Sequence, residues 1–121
     1  MLPTLLIVED NSLIREDLIE IFQLNDFHVL DAADGLKGIE ILDQEKVDLV
    51  ITDIMMPHLD GIGLLSHIRQ SKDYAHLPVI ILSASTNEEY MKQTSDLGIV
   101  GYIVKPFSNS ALVDLVKKSL S

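Results

Sequence analysis

The chain carries two short runs with no polar residue at all, Leu5-Leu6-Ile7-Val8 and Val79-Ile80-Ile81-Leu82. A third segment, Asp48 to Asp53, is apolar or β-branched between its two acids. A strand with one solvated face alternates apolar and polar residues, so an unbroken apolar run reads as a strand covered on both faces, the habit of parallel sheets. Helical spacing fills the intervals. Ile14, Leu18, Ile21 and Phe22 share one face behind a cap at Asn11 or Ser12. Leu36 to Glu45 predicts a weaker helix, and Leu64, Leu65 and Ile68 mark a third. A polar fourth helix runs from about Asn87 to Leu97, anchored by Tyr90, Met91 and Leu97 and stopped by Gly98. Leu112, Leu115, Val116 and Leu120 mark the last. His28 to Ala33 reads as an edge strand and Ile99 to Val104 as the final one. Strand and helix thus alternate five times, which predicts an α/β fold: a parallel sheet, right-handed crossovers and helices on both faces.

Composition narrows the function classes. A length of 121 residues, without repeat, linker or low-complexity segment, predicts a single domain over residues 1–121. No apolar run approaches the roughly 20 residues of a membrane span. Met1-Leu2-Pro3-Thr4 lacks the basic flank and small-residue cleavage site of a signal peptide. The chain has no cysteine, which rules out disulfides and thiolate metal sites and fits a cytoplasmic setting. A formal charge of −10 argues against nucleic-acid binding by a basic face of this domain.

In an open parallel sheet, function collects beyond the carboxyl ends of the strands. Those ends carry Glu9 and Asp10, then Asp53, then Ser83, then Lys105. An acid ending a buried strand, as Asp53 does, is either a satisfied structural group or a reaction centre. Three close carboxylates raise at least one pKa unless something neutralises them, and a hard divalent cation such as Mg²⁺ suits an oxygen-only set. A lysine adds a charge fitted to a phosphoryl oxygen, and a serine adds a hydrogen-bond donor. One carboxylate remains free to act as a nucleophile, and Asp forms acyl phosphates in this way.

These residues, in this order, resemble the receiver domain of bacterial two-component response regulators, chemotaxis regulators among them. The likeness is carried by Glu9-Asp10, Asp53 with Pro57 and Gly61 downstream, Ser83-Ala84, and Gly101-Tyr102 leading to Lys105-Pro106-Phe107. The resemblance implies a flavodoxin-like three-layer sandwich with parallel strand order 2-1-3-4-5. It implies that Asp53 accepts a phosphoryl group from a histidine kinase or phosphotransfer domain. Asp10, Asp53 and the backbone carbonyl of Met55 would ligate Mg²⁺, with Glu9 acting through water. Ser83 and Lys105 would bind phosphoryl oxygens, and the Lys105–Pro106 bond would be cis. Ser83 and Tyr102 would act as switch residues, Tyr102 turning from exposed to buried. The surface of the fourth helix, last strand and last helix would then change its protein partner or output domain, with phosphorylation-dependent dimerisation left open.

Other chemistries fit less well. His28, His58, His67 and His76 lack metal-ligand spacing and read as surface or loop residues. Met55-Met56, in oxygen-rich surroundings, reads as packing and loop rather than a copper site. Ser83-Ala84-Ser85 is no nucleophile elbow, and no glycine-rich phosphate loop follows the first strand. An aspartyl-phosphate hydrolase of the haloacid dehalogenase kind would carry a second acid two residues past its nucleophile, where this chain has Met55. A degenerate, partner-binding receiver would lose the acids or the lysine, and this chain retains them. By family likeness, Met55 and Ser85 occupy positions that tune the phosphoryl lifetime, and neither carries a charge or amide to orient water. The expected activity is therefore that of a phosphoacceptor with slow self-dephosphorylation rather than a conventional enzyme.

Overall fold

A computed structural model describes residues 2–121. The chain runs β1 (Thr4–Val8), α1 (Ser12–Leu24), β2 (His28–Ala32), α2 (Gly35–Gln44), β3 (Leu49–Thr52), α3 (Gly61–Gln70), β4 (Val79–Ser83), α4 (Glu88–Leu97), β5 (Gly101–Val104) and α5 (Asn109–Leu120). Every strand pair is parallel, and the order is β2-β1-β3-β4-β5. This is the doubly wound, flavodoxin-like arrangement expected from the sequence. Among the described residues no helix is long and apolar enough to cross a membrane.

The apolar runs divide by parity, since successive side chains of a strand point to opposite faces. Leu5, Ile7, Leu49, Ile51, Ile80 and Leu82 pack with Leu18 and Phe22 of α1 and Leu112, Val113 and Val116 of α5. Leu6, Val8, Val50, Val79 and Ile81 pack instead with Leu42 of α2 and Leu64, Leu65 and Ile68 of α3. The three inner strands are buried along their length except at Thr4, whereas β2 and β5 are only partly covered.

The helices start where side chains satisfy their free N–H groups. Asn11, Asp34, Asp60, Asn87 and Ser108 each cap one. Gly98 ends α4 at φ 93°, where a side chain would be strained. One expectation about α4 is corrected. Met91 is 38% exposed and does not anchor the helix. Thr94 fills that place, fully buried, its hydroxyl donating to the carbonyls of Tyr90 and Met91 at 2.9 and 3.0 Å. Backbone bonding within the helix makes the threonine hydroxyl compatible with burial, so α4 is anchored by a residue that hydropathy alone passes over.

The switch point of the topology lies between β1 and β3, where the chain leaves β2 on one side and builds β3, β4 and β5 on the other. The β3–α3 loop closes over this point by a close backbone approach. Gly61 donates its N–H to the Ile54 carbonyl at 2.8 Å, and a Cβ on Gly61 would collide with the backbone of Asp53 and Ile54. Gly61→Ala is therefore expected to destabilise the fold by about 1–3 kcal/mol through overpacking, seen as a lower urea midpoint at unchanged slope.

Candidate functional site

The residues at the strand ends are placed by extensions of the sheet's own backbone ladder. Glu9 N–H donates to the Ala32 carbonyl at 3.0 Å, Asp53 N–H to Val8 at 3.1 Å, and Lys105 N–H to Ser83 at 2.8 Å. Each residue lies one step past its strand yet keeps the strand's register. Glu9, Asp53 and Lys105 therefore meet at the carboxyl edge, although 96 residues separate Glu9 from Lys105. Lys105 is joined to Pro106 by a cis peptide bond.

One oxygen each from Glu9, Asp10 and Asp53 lies within 4.8 Å of the others. Lys105 Nζ bridges two of them, 2.6 Å from Glu9 Oε1 and 2.9 Å from Asp53 Oδ2. The second oxygen of each bridged acid also has a partner. Glu9 Oε2 accepts the Asn11 N–H at 3.2 Å, and Asp53 Oδ1 accepts the Ile54 N–H at 2.7 Å. Glu9 is buried and Asp10 exposed, so the cluster opens to solvent on the Asp10 side.

Burial pushes the Glu9 carboxyl above its ordinary value and the Asp53 charge adds to this, while hydrogen bonds from Lys105 and Asn11 pull back incompletely. Burial opposes the charge of Lys105 as well. The hydrogen bonds to Glu9 and Asp53, and their charges, outweigh it and hold the ammonium above its ordinary value. The lysine thus stays charged among acids that repel one another.

The donor set suits a hard cation. It consists of oxygens only, and carboxylates within 4.8 Å of one another suit an ion that takes one or two of them directly and reaches the rest through its own waters.

Ser83 is fully buried at the end of β4, its Oγ accepting the Ser85 N–H at 3.0 Å. Ser85 in turn offers its carbonyl to the Tyr102 hydroxyl at 2.8 Å, and its own Oγ accepts the Asn87 N–H at 3.1 Å. Tyr102 is half-buried and, like Tyr90 and Leu97 of α4, packs against the core on that face of the sheet. Met55 projects 60% exposed, and Met56 packs against the core as expected.

Two arrangements were not legible in the sequence. Arg15 of α1 donates to the Glu9 carbonyl at 2.7 Å and pairs with Asp31 of β2 at 3.1 Å. His58 is exposed, as its loop position suggests, but it is not idle. At φ 68° its Nδ1 lies 3.0 Å from Asp34 Oδ2, tying the β3–α3 loop to the start of α2. Asp34 also accepts the Lys37 N–H at 2.9 Å. A run of acids around a lone arginine was the one available hint of the first, and nothing in the spacing marks the second.

Comparison with known proteins places this geometry among relatives. Residues 5–117 match the family model described as "Response regulator receiver domain". The chain is 38% identical over 117 residues to the transcriptional regulatory protein PdtaR of Mycobacterium tuberculosis, covering 96% of this chain but 56% of that protein. It is 35% identical over 115 residues to the chemotaxis protein CheY-3 of Vibrio cholerae, covering 94% of this chain and 88% of that one. Among solved structures it superposes on the chemotaxis response regulator CheY4 of Vibrio cholerae with a TM-score of 0.91 at 26% identity, covering 99% and 100% of the two chains.

The hydrogen bonds from Lys37 and His58 hold the Asp34 carboxyl below its ordinary value of 3.8, against burial. A group lowered on folding contributes stability that is complete above its unfolded value and is lost as pH falls through the folded one. Asp34→Ala is accordingly expected to cost about 1 kcal/mol near neutral pH. The difference from the wild type should shrink on acidification below that range, as measured by urea unfolding at both pH values.

Proposed function

The chain belongs to the response regulator receiver domain family, and on that premise we propose that Asp53 accepts a phosphoryl group from a phosphohistidine in a Mg²⁺-dependent reaction. The donor is a histidine kinase or phosphotransfer domain, and the setting is cytoplasmic. The observation that carries this reading is the Lys105 bridge, 2.9 Å from Asp53 and 2.6 Å from Glu9 beside a third carboxylate.

An Asp53 carboxylate oxygen attacks phosphorus, the P–N bond to the donor imidazole breaks in line, and the imidazole leaves with the bonding pair. Asp53 Oδ1 is steadied by the Ile54 N–H, which leaves Oδ2, now paired with Lys105, as the nucleophile. Asp10, Asp53 and the Met55 carbonyl would hold Mg²⁺ and Glu9 would act through water; bound there, the ion supplies charge neutralisation on the phosphoryl oxygens. Lys105 transfers its hydrogen bond from carboxylate to phosphoryl oxygen, so its positive charge follows the developing negative charge.

Ser83 links the chemistry to a second state. Its Oγ accepts the Ser85 N–H, so turning its O–H toward a phosphoryl oxygen would pull on Ser85 through that bond. Ser85 is bonded to Tyr102 and to the cap of α4, so a shift of Ser83 reaches all three. Tyr102, already half-buried, would move further in, and the α4–β5–α5 surface would change its partner or output domain. The phosphoryl group biases two existing states rather than forging a new one. The chain spans about half the length of PdtaR, and the identity of the output is a matter for the whole protein.

Incubation with acetyl phosphate and Mg²⁺ should add one phosphoryl group by mass. Asp53→Ala, or removal of the metal with a chelator, should abolish the increase. A gain in mass that survives Asp53→Ala would defeat the assignment. The lifetime gives a second expectation. Met55 presents an exposed thioether and Ser85 a hydroxyl that accepts the Asn87 N–H, and neither carries the charge or amide that would orient an attacking water. Introducing Met55→Asn with Ser85→Glu should shorten the half-life of the phosphorylated form by about tenfold or more. Equal or slower loss from the double variant would count against the idea.

A further inference from the structure

Every polar group of Glu9 is fixed by a different residue. Its N–H meets Ala32 of β2, Oε1 meets Lys105, Oε2 meets Asn11, and its carbonyl meets Arg15. The last contact is the unusual one, because that carbonyl belongs to the peptide joining Glu9 to Asp10. A peptide unit is planar, so fixing the carbonyl fixes the direction in which the next residue leaves. Asp10 is the exposed member of the acidic cluster, and the contact that governs its peptide comes from Arg15.

Arg15 is well suited to the task. Its side chain is 19% exposed, with Nη1 2.7 Å from the Glu9 carbonyl and Nε 3.1 Å from Asp31 Oδ2. A guanidinium is a rigid planar fork, so holding one nitrogen on Asp31 aims another at a set point. Asp31 sits on β2 opposite Ile7 of β1 and directly precedes Ala32, which takes the Glu9 N–H. The Ala32 carbonyl on the amino side of Glu9 and the Arg15–Asp31 pair on its carbonyl side therefore fasten the β1–α1 turn to β2.

We propose that Arg15 is a positioning residue for divalent-cation binding: held by Asp31, it sets the Glu9–Asp10 peptide so that both carboxylates face the ion together with Asp53. The inference rests on the reading of this cluster as a Mg²⁺ site. Partners that orient metal-binding groups without touching the metal typically contribute about 10–100-fold to affinity.

The sign of the effect separates positioning from simple charge. Arg15 is a cation near a cation site, so by electrostatics alone its removal would tighten Mg²⁺ binding. Positioning requires the opposite. Titration of the intact chain with Mg²⁺ by calorimetry, and by chemical shifts of the Asp10 and Asp53 amides, should show Arg15→Met binding about tenfold more weakly than wild type. Arg15→Lys keeps the charge but cannot span both partners; it should also bind more weakly, by a smaller factor, and it guards against a fold defect in the first variant. Thermal unfolding of the metal-free forms runs beside both, since a purely structural role would lower the melting temperature and leave Mg²⁺ affinity unchanged. Unchanged or tighter binding by Arg15→Met would overturn the proposal. A wild-type chain with no Mg²⁺ affinity would instead overturn the metal reading, and this inference with it.

Discussion

Carboxylates gathered at one edge of a sheet repel one another, and a buried one stays ionised only with a partner. Lys105 meets both conditions here by bridging Glu9 and Asp53. Much of the surrounding structure serves that bridge. The ladder bond from Lys105 to Ser83 sets the height of the lysine, and the bonds from Glu9 to Ala32 and Asp53 to Val8 set the height of the acids. Removing the cation would leave buried acids unpaired, a change that typically costs about 3–5 kcal/mol. The same contact that stabilises the edge thus holds the ammonium beside Asp53 Oδ2, the oxygen proposed above as the nucleophile.

The architecture was legible because burial on both faces leaves a direct mark. Leu5 to Val8 and Val79 to Leu82 have no solvated side, and their composition says so. The chemical residues were legible for a related reason: polar groups at the ends of such strands stand out, and all of them fall on one edge when every strand is parallel. The less legible features depend on contacts between elements. Met91 and Thr94 are three residues apart on α4, and hydropathy favours the wrong one as anchor, because the threonine hydroxyl is satisfied inside its own helix. Arg15 looks like any surface cation until β2 brings Asp31 beside it. The pairing of His58 with Asp34 spans two loops from different crossovers, and no period or motif encodes it.

The two ends of α4 are held by different means, which bears on how a change at Ser83 would travel. At the carboxyl end, Arg69 of α3 donates to the carbonyls of Leu97 and Gly98 while also reaching Ala75 and Leu77, at distances from 2.7 to 3.3 Å. Burial lowers the pKa of that guanidinium. At the amino end, the helix hangs from Asn87, whose N–H bonds the Ser85 hydroxyl, next to Ser83 itself. One end is stitched to α3 and the β4 approach by several bonds, the other to the reactive edge by a short chain of them. With Thr94 as its only fully buried residue, α4 has little packing to resist motion at the looser end. A displacement begun at Ser83 would therefore meet its least resistance at the amino end of α4, where Tyr102 is bonded to Ser85, and its greatest at the carboxyl end, where Arg69 holds the helix by several bonds.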